Sequence, residues 1–403
     1  MELRTQSSLL TRETLMGELR NNILPYWMDK MVDHEHGGFY GRRNGLDKLE
    51  KQAPKGVILN TRILWTFSAP SRALKEPAYL EVADRAYDYL QQYFMDKHYG
   101  GVYWMVTYKG EPLHNKKQIY AQAFAIYAFV EYFFATGNPE PLKEAQKLFW
   151  LIERHSFDQY CDGYLEAFDN RWNLLDDLRL SEKDANEKKT MNTHLHVLEA
   201  YTHLFRCWKD PDLSRQLKNL IIIFNEKILN KDWHFDLFFN ENWKVQSDEV
   251  SFGHDIEGSW LLHEAALVLG DQQLIDATTD IAVHMADTSI REGLDNDGGI
   301  MNEANHRGEL IDTDKHWWPQ AEALIGYVNA WQITGNDDYL TSAEKVWSFI
   351  RKYLIDTKNG EWFWRVSRTG TVNVEEDKAG PWKCPYHNGR AMLELMARLN
   401  KRD

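Results

Sequence analysis

Residues 100–157 read GGVYWMVTYKGEPLHNKKQIYAQAFAIYAFVEYFFATGNPEPLKEAQKLFWLIERHSF. The glycine turn Gly100-Gly101 runs into Val102-Tyr103-Trp104, a pattern that predicts a short hairpin. Two helix-length segments follow, 118–136 and 139–157, separated by Gly137-Asn138-Pro139. The run Ala121 to Val130 is apolar nearly all round, as a helix in a buried layer should be. Second helices of this kind, such as Tyr79 to Leu90, instead mix apolar and charged positions with helical period, the mark of a layer wet on one side.

The same unit recurs. Glycine or aromatic turns stand at 38, 101, 163, 234, 299 and 360, at steps of 63, 62, 71, 65 and 61 residues. A near-fixed period is the signature of a repeated structural unit. Further helix pairs are predicted over 57–69 and 78–95, 191–208 and 211–229, 253–270 and 272–290, and 317–335 and 337–355. The last pair combines 385–399 with 11–31, so the two ends of the chain complete one unit. Six such pairs predict an all-α fold, an (α/α)6 barrel with short β-hairpins in the connections, formed by a single catalytic domain over 1–403. An open helical solenoid is the competing arrangement.

Polar or aromatic residues stand near the start of every inner helix: Arg62; Tyr120 with Gln122; Asn192 with His196; His254 with Glu257; Trp318 with Glu322; His387 with Arg390. Positions three or four apart share a helix face, so His254 and Glu257 point the same way with Trp260 continuing the stripe. In a closed barrel the six faces converge on one axial pocket. Taken singly, each residue also has a structural explanation: Arg62 as an ion-pair partner, Asn192 as a cap, His387 as a turn residue.

The remaining sequence excludes several classes. A net charge of −14 with no long basic run argues against nucleic acid or anionic lipid as partner. Three cysteines without a CxxC pair fit a reduced compartment, and no signal-like segment or run of about 18 apolar residues is seen, so a cytoplasmic location is expected. Residues i and i+2 of a helix lie about 200° apart, so His194 and His196 cannot hold one ion from one helix; with neither HExxH nor a cysteine cluster, no metal is expected. GxGxxG, GxxxxGK[ST] and GxSxG are absent as well. With aromatic residues at 13%, a neutral partner fits best.

Long stretches resemble the motifs of cellobiose 2-epimerases, of the N-acylglucosamine 2-epimerase superfamily: Asn60-Thr61-Arg62-Ile63-Leu64-Trp65, residues 191–199 (MNTHLHVLE), residues 253–262 (GHDIEGSWLL), residues 316–322 (HWWPQAE) and residues 382–390 (WKCPYHNGR). The resemblance spans nearly the whole chain. It implies an (α/α)6 barrel that inverts C2 of the reducing-end glucose or mannose unit of β-1,4-linked disaccharides without a cofactor. It also implies that His254 and His387 are the acid/base pair and that Arg62 and His196 surround the substrate oxygens. Tyr120, Asn192, Glu257, Trp260, Trp318, Glu322 and Trp382 match sugar-contacting or supporting positions. One departure is Gly258, where alanine is expected, a small residue for a small one. The expected partner is a small sugar, with the chain a monomer or weak homo-oligomer. The loop 169–189 is a candidate for the pocket rim. Rival readings are a mannose 2-epimerase or aldose-ketose isomerase on the same scaffold, an inverting glycosidase using Glu257 and Glu322, and a non-catalytic sugar-binding module.

Overall fold

The computed structural model describes residues 10–399, and the architecture is the (α/α)6 barrel. In chain order the helices are α1 (Arg12–Glu18), α2 (Leu24–Lys30), α3 (Val57–Leu74), α4 (Pro77–Tyr89), α5 (Ile119–Thr136), α6 (Pro139–His155) and α7 (Met191–Cys207). They continue as α8 (Pro211–Ile223), α9 (Phe252–Leu269), α10 (Gln272–Thr288), α11 (Trp317–Thr334), α12 (Asp337–Phe349) and α13 (Tyr386–Leu399). Helices α3, α5, α7, α9, α11 and α13 form the inner ring, each packed on the next, and α13 packs on α3 to close it. The outer helices α4, α6, α8, α10 and α12 each pack on the inner helix that precedes them.

The ring closes through the chain ends. The segment α1–α2 packs on α13, Trp27 Nε1 donates to Glu361 Oε2 at 2.6 Å, and Trp362 Nε1 donates to Glu18 Oε1 at 2.6 Å. An open solenoid would leave these faces bare, so the chain-end complementation decides for the barrel.

The helix pair α5–α6 shows how sequence dictates the two layers. In α5 every residue from Ile119 to Tyr132 is buried, whereas α6 buries Pro141, Ala145, Leu148, Phe149 and Ile152, three or four apart on one face. Each large apolar side chain so buried contributes about 1.5–3 kcal/mol. Gly137 ends α5 at φ 69°, Asn138 caps α6 by accepting Glu140 N–H, and Pro139 occupies the first turn, where its missing N–H costs nothing. By length and composition α5 could cross a membrane; here 78% of it is inside the protein as an inner wall of the barrel.

Each repeat's turn is closed by one β-bridge: Val32 with Phe39, Met95 with Val102, Phe157 with Tyr164, Leu229 with Phe235, Leu294 with Ile300, and Ile355 with Trp362. The second residue of every bridge is completely buried. Four of these bridges hang on the fourth residue of an inner helix. Gln122 accepts Val102 N–H and donates to Val102 O, Gln320 does the same with Ile300, His194 accepts Tyr164 N–H, and Asp255 accepts Phe235 N–H. Gln122, read from sequence as facing the pocket, is therefore a structural staple.

The hairpin strands also pair between repeats. Lys55–Gly56 runs antiparallel to Met105–Val106, Lys117–Gln118 to Ala167–Phe168, Lys189–Thr190 to Phe238–Phe239, Glu249–Ser251 to Glu303–Asn305, and Lys315–His316 to Arg365–Val366. Each pair fixes the start of an inner helix. Two residues before α3, α5, α7 and α11, a buried lysine bonds the aspartate that opens the preceding turn: Lys55–Asp33, Lys117–Asp96, Lys189–Asp158 and Lys315–Asp295, at 2.8–3.0 Å. Before α9 the lysine is replaced by Val250 and the aspartate by Asn230.

In that repeat His234 takes over. Its Nδ1 lies 2.7 Å from Asp255 and its Nε2 3.1 Å from Glu292. Burial opposes its charge, yet Asp255 and Glu292 outweigh burial and raise its pKa from 6.5 to about 9. A folded pKa above the unfolded value gives stability that is complete below about pH 6.5 and lost as pH rises through about 9. Thermal melts should therefore fall more steeply between those pH values in the wild type than in His234→Gln; parallel curves would contradict the assignment.

Candidate active site

The inner helices place their first two turns around the barrel axis, and a chain of contacts crosses all six of them. On α3, Arg62 Nη2 donates to Tyr120 OH of α5 at 2.8 Å, and the Tyr120 ring meets the His196 ring of α7 edge to face at 4.8 Å. His196 Nδ1 lies 2.9 Å from Glu199 Oε2, and Glu199 Oε1 accepts from Tyr386 OH and Arg390 Nη1 of α13. Arg390 Nη2 donates to Glu257 Oε1 of α9 at 2.8 Å and to Glu322 Oε1 of α11 at 2.7 Å. Glu322 Oε1 also lies 2.7 Å from His387 Nδ1. Trp318 then links the two candidate proton carriers, its ring 5.7 Å from His387 and 4.7 Å from His254. His254 Nδ1 is 2.9 Å from Ser251 Oγ.

The three site histidines share one feature. His196, His254 and His387 each spend Nδ1 on a protein oxygen, and among the described residues none has a protein partner at Nε2. A ring anchored at Nδ1 leaves Nε2 for chemistry.

Burial sets the protonation states. It is the main cause lowering His254 from 6.5 to about 3, with His196 adding to it. His387 is held well below the ordinary imidazole value by burial first, then by Arg62 and Arg390. His196 is lowered by burial. Burial thus favours the uncharged imidazole in all three. Burial pushes Glu257 well up, helped by the charge of Glu322, and raises Glu322 too. For Glu199 burial works upward, but Arg390 and His196 outweigh it and bring the pKa down to about 2. Thus Glu199 carries the charge that matches Arg390, while Glu257 and Glu322 favour keeping a proton between them.

Several expected pairings differ. His254 and Glu257 share a helix face yet do not bond: Glu257 reaches across the axis to Arg390, and the partner of His254 is Ser251. Trp260, expected against the sugar, is 1% exposed; it donates to Glu322 Oε2 at 3.1 Å and lies under Arg390, so it braces the carboxylate from behind. Trp382 is half-buried between Trp104 and Tyr120, each 5.8 Å away. Asn192 and His254 line a cavity of about 280 Å3, and the loop residues 178–181, 183–185 and 187 line its outer wall. Glu199, Ser251 and Tyr386 were not singled out from sequence, although Glu199 and Ser251 stand three residues from His196 and His254, the spacing that brings side chains together.

The carboxylates Glu257 and Glu322 with His387 place ligand atoms within 4.8 Å of one another, a spacing an ion could use. Arg390 already donates to the same two Oε1 atoms, so a guanidinium stands where a cation would be held.

Gly258 has a specific reason to be glycine. A Cβ there would lie 2.1 Å from Cε2 of Phe235, the fully buried bridge residue of the fourth repeat. Small for small is therefore not neutral in this chain. Gly258→Ala should cost about 1–3 kcal/mol through overpacking, read as a lower urea midpoint; an unchanged midpoint would show that Phe235 yields freely.

The fold and this ring of anchored histidines, guanidinium and aromatic faces define a carbohydrate-active (α/α)6 enzyme. The family model of N-acylglucosamine 2-epimerase matches residues 37–391, and the chain belongs to that family. It is 53% identical to the cellobiose 2-epimerase of Bacteroides fragilis over 96% of this chain and 99% of that protein. With the cellobiose 2-epimerase of Ruminococcus albus it shares 39% identity over 94% of this chain and 97% of the relative. The solved structure of the Bacillus thermoamylovorans cellobiose 2-epimerase superposes with a TM-score of 0.92 at 41% identity, covering 96% of this chain and 99% of the other. The chain is an epimerase, an enzyme of the isomerase class.

Proposed function

We propose that this enzyme inverts C2 of the reducing-end glucose or mannose unit of β-1,4-linked disaccharides such as cellobiose and lactose, acting in the cytoplasm as one catalytic unit. The observation that carries the reading is the pair His254 and His387, each anchored through Nδ1 with Nε2 without a protein partner among the described residues, and each against the ring of Trp318.

The hydrogen at C2 becomes acidic only in the open aldehyde form. One imidazole Nε2 removes it, the electron pair moves into the enediolate, and the other histidine returns a proton to the opposite face. The step balances with the His254 Nε2 lone pair free and hydrogen on Nε2 of His387: His254 takes the C2 proton, His387 gives its Nε2 proton, and its Nδ1 draws the proton that burial favours on the Glu257–Glu322 pair, with Glu322 Oε1 2.7 Å away. Each histidine then serves as base in one direction and as acid in the other. Arg62, with Tyr120 and His196 beside it, stabilises the developing oxyanion, in a buried setting where such a charge counts most. Trp318 and Trp382 offer ring faces to the sugar, Asn192 binds hydroxyls, and Glu322 orients His387.

An inverting glycosidase needs carboxyl groups about 6.5–9.5 Å apart with water between them. Glu257 and Glu322 lie within 4.8 Å and share one guanidinium nitrogen, which argues against that use. Incubation with cellobiose, lactose, mannose and glucose separates the rest: the 2-epimer of a disaccharide as main product supports the proposal, and a ketose or a shortened sugar as main product contradicts it.

A further inference from the structure

Ser251 precedes the first residue of α9, the position where a serine hydroxyl ordinarily accepts an amide N–H of the first helical turn. Thr190, at the same position before α7, does so: its Oγ1 accepts Thr193 N–H at 3.1 Å. Ser251 makes no such capping bond. Its hydroxyl is turned to His254 Nδ1, 2.9 Å away, and both side chains face the cavity that Asn192 also lines. Ser251 is 4% exposed, so water does not compete freely for that oxygen.

We propose that Ser251 is a positioning residue for His254: its oxygen accepts Nδ1–H and so fixes the neutral tautomer whose Nε2 lone pair is free for the substrate, at the expense of capping α9. The inference rests on His254 being a proton carrier. Were Ser251 the donor instead, the ring hydrogen would sit on Nε2 and that nitrogen could take no proton. When Nε2 receives the C2 proton and the C–H electron pair enters the enediolate, both ring nitrogens carry hydrogen and Ser251 still accepts from Nδ1. One unmoved hydroxyl therefore serves both states. His196 and His387 are anchored on carboxylates, Glu199 and Glu322, which leaves His254 as the site histidine whose anchor is a neutral hydroxyl.

The test compares Ser251→Ala, Ser251→Thr and His254→Ala by steady-state kinetics with cellobiose, urea denaturation and 15N NMR of the histidine rings. In Ser251→Ala, kcat should fall about tenfold, the equivalent of one lost hydrogen bond. KM should change less than about twofold, since the lost contact acts through His254 rather than on bound sugar. The urea midpoint should hold, because no cap is lost, and the His254 signal should leave the Nδ1–H form. Ser251→Thr should restore most of kcat. A lowered midpoint with unchanged kcat, the behaviour of an ordinary cap, would overturn the inference, as would an unchanged tautomer. If His254→Ala itself turns over normally, the reading of His254 fails; if it is inactive while Ser251→Ala matches the wild type, only the role of Ser251 fails.

Discussion

His254→Ala and His387→Ala each fold normally and lose about a thousandfold or more in kcat for epimerisation, within the 100- to 10,000-fold range of a positioned acid or base. Both rings are small parts of well-packed inner helices, and neither removal strands a charge. His254 leaves behind only the hydroxyl of Ser251, and His387 leaves Glu322 still bonded to Arg390 and Trp260. Circular dichroism and denaturation midpoints near wild type would confirm that the loss is chemical. Near wild-type turnover by either variant would sink the two-base scheme.

Arg390→Met has the opposite profile, with stability taking the largest loss. The guanidinium is 1% exposed and bonds Glu199, Glu257 and Glu322. Removing one partner from a buried ionic cluster leaves uncompensated charge and costs about 3–5 kcal/mol. Without Arg390 the folded pKa of each of these carboxyl groups rises, for Glu257 and Glu322 from values already above the unfolded ones and for Glu199 from about 2. Each such group then loses its stabilising contribution as pH rises through its folded pKa, so the deficit of the variant is largest at pH 7 and shrinks toward pH 5. Urea titrations at the two pH values check both size and sign; a deficit that grows on acidification would contradict the charge assignment.

Much of the fold was legible because its signals are local. Glycine turns such as Gly100-Gly101 and breaks such as Gly137-Asn138-Pro139 recur at a near-fixed period, and the all-round apolar α5 differs visibly from one-sided α6. The five turns of π-helix that end or interrupt outer helices, over Leu19–Ile23, Leu90–Phe94, Phe224–Ile228, Ser289–Gly293 and Ile350–Leu354, leave no such trace, since one widened turn barely disturbs a 3.6-residue period. Pairing of two-residue strands between repeats is equally silent, being too short to show alternation. In the site, Arg62, Tyr120, His196, His254, Glu322 and His387 stood out as polar groups at equivalent helix starts. Their partners did not. Glu257 looked like the companion of His254 because they share a face, but its bond runs across the barrel to a residue 133 positions away. Gly258 looked interchangeable with alanine because the Phe235 ring that fills its space belongs to the bridge of the preceding turn.

The most direct measurement is isotope transfer during epimerisation of cellobiose in heavy water at low conversion. With His254 and His387 on opposite faces, the 2-epimer carries deuterium at C2 in nearly every molecule while the recovered cellobiose stays almost unlabelled. A product that retains the original protium at C2 would mean that a single group carries the hydrogen from one face to the other, and would contradict the account.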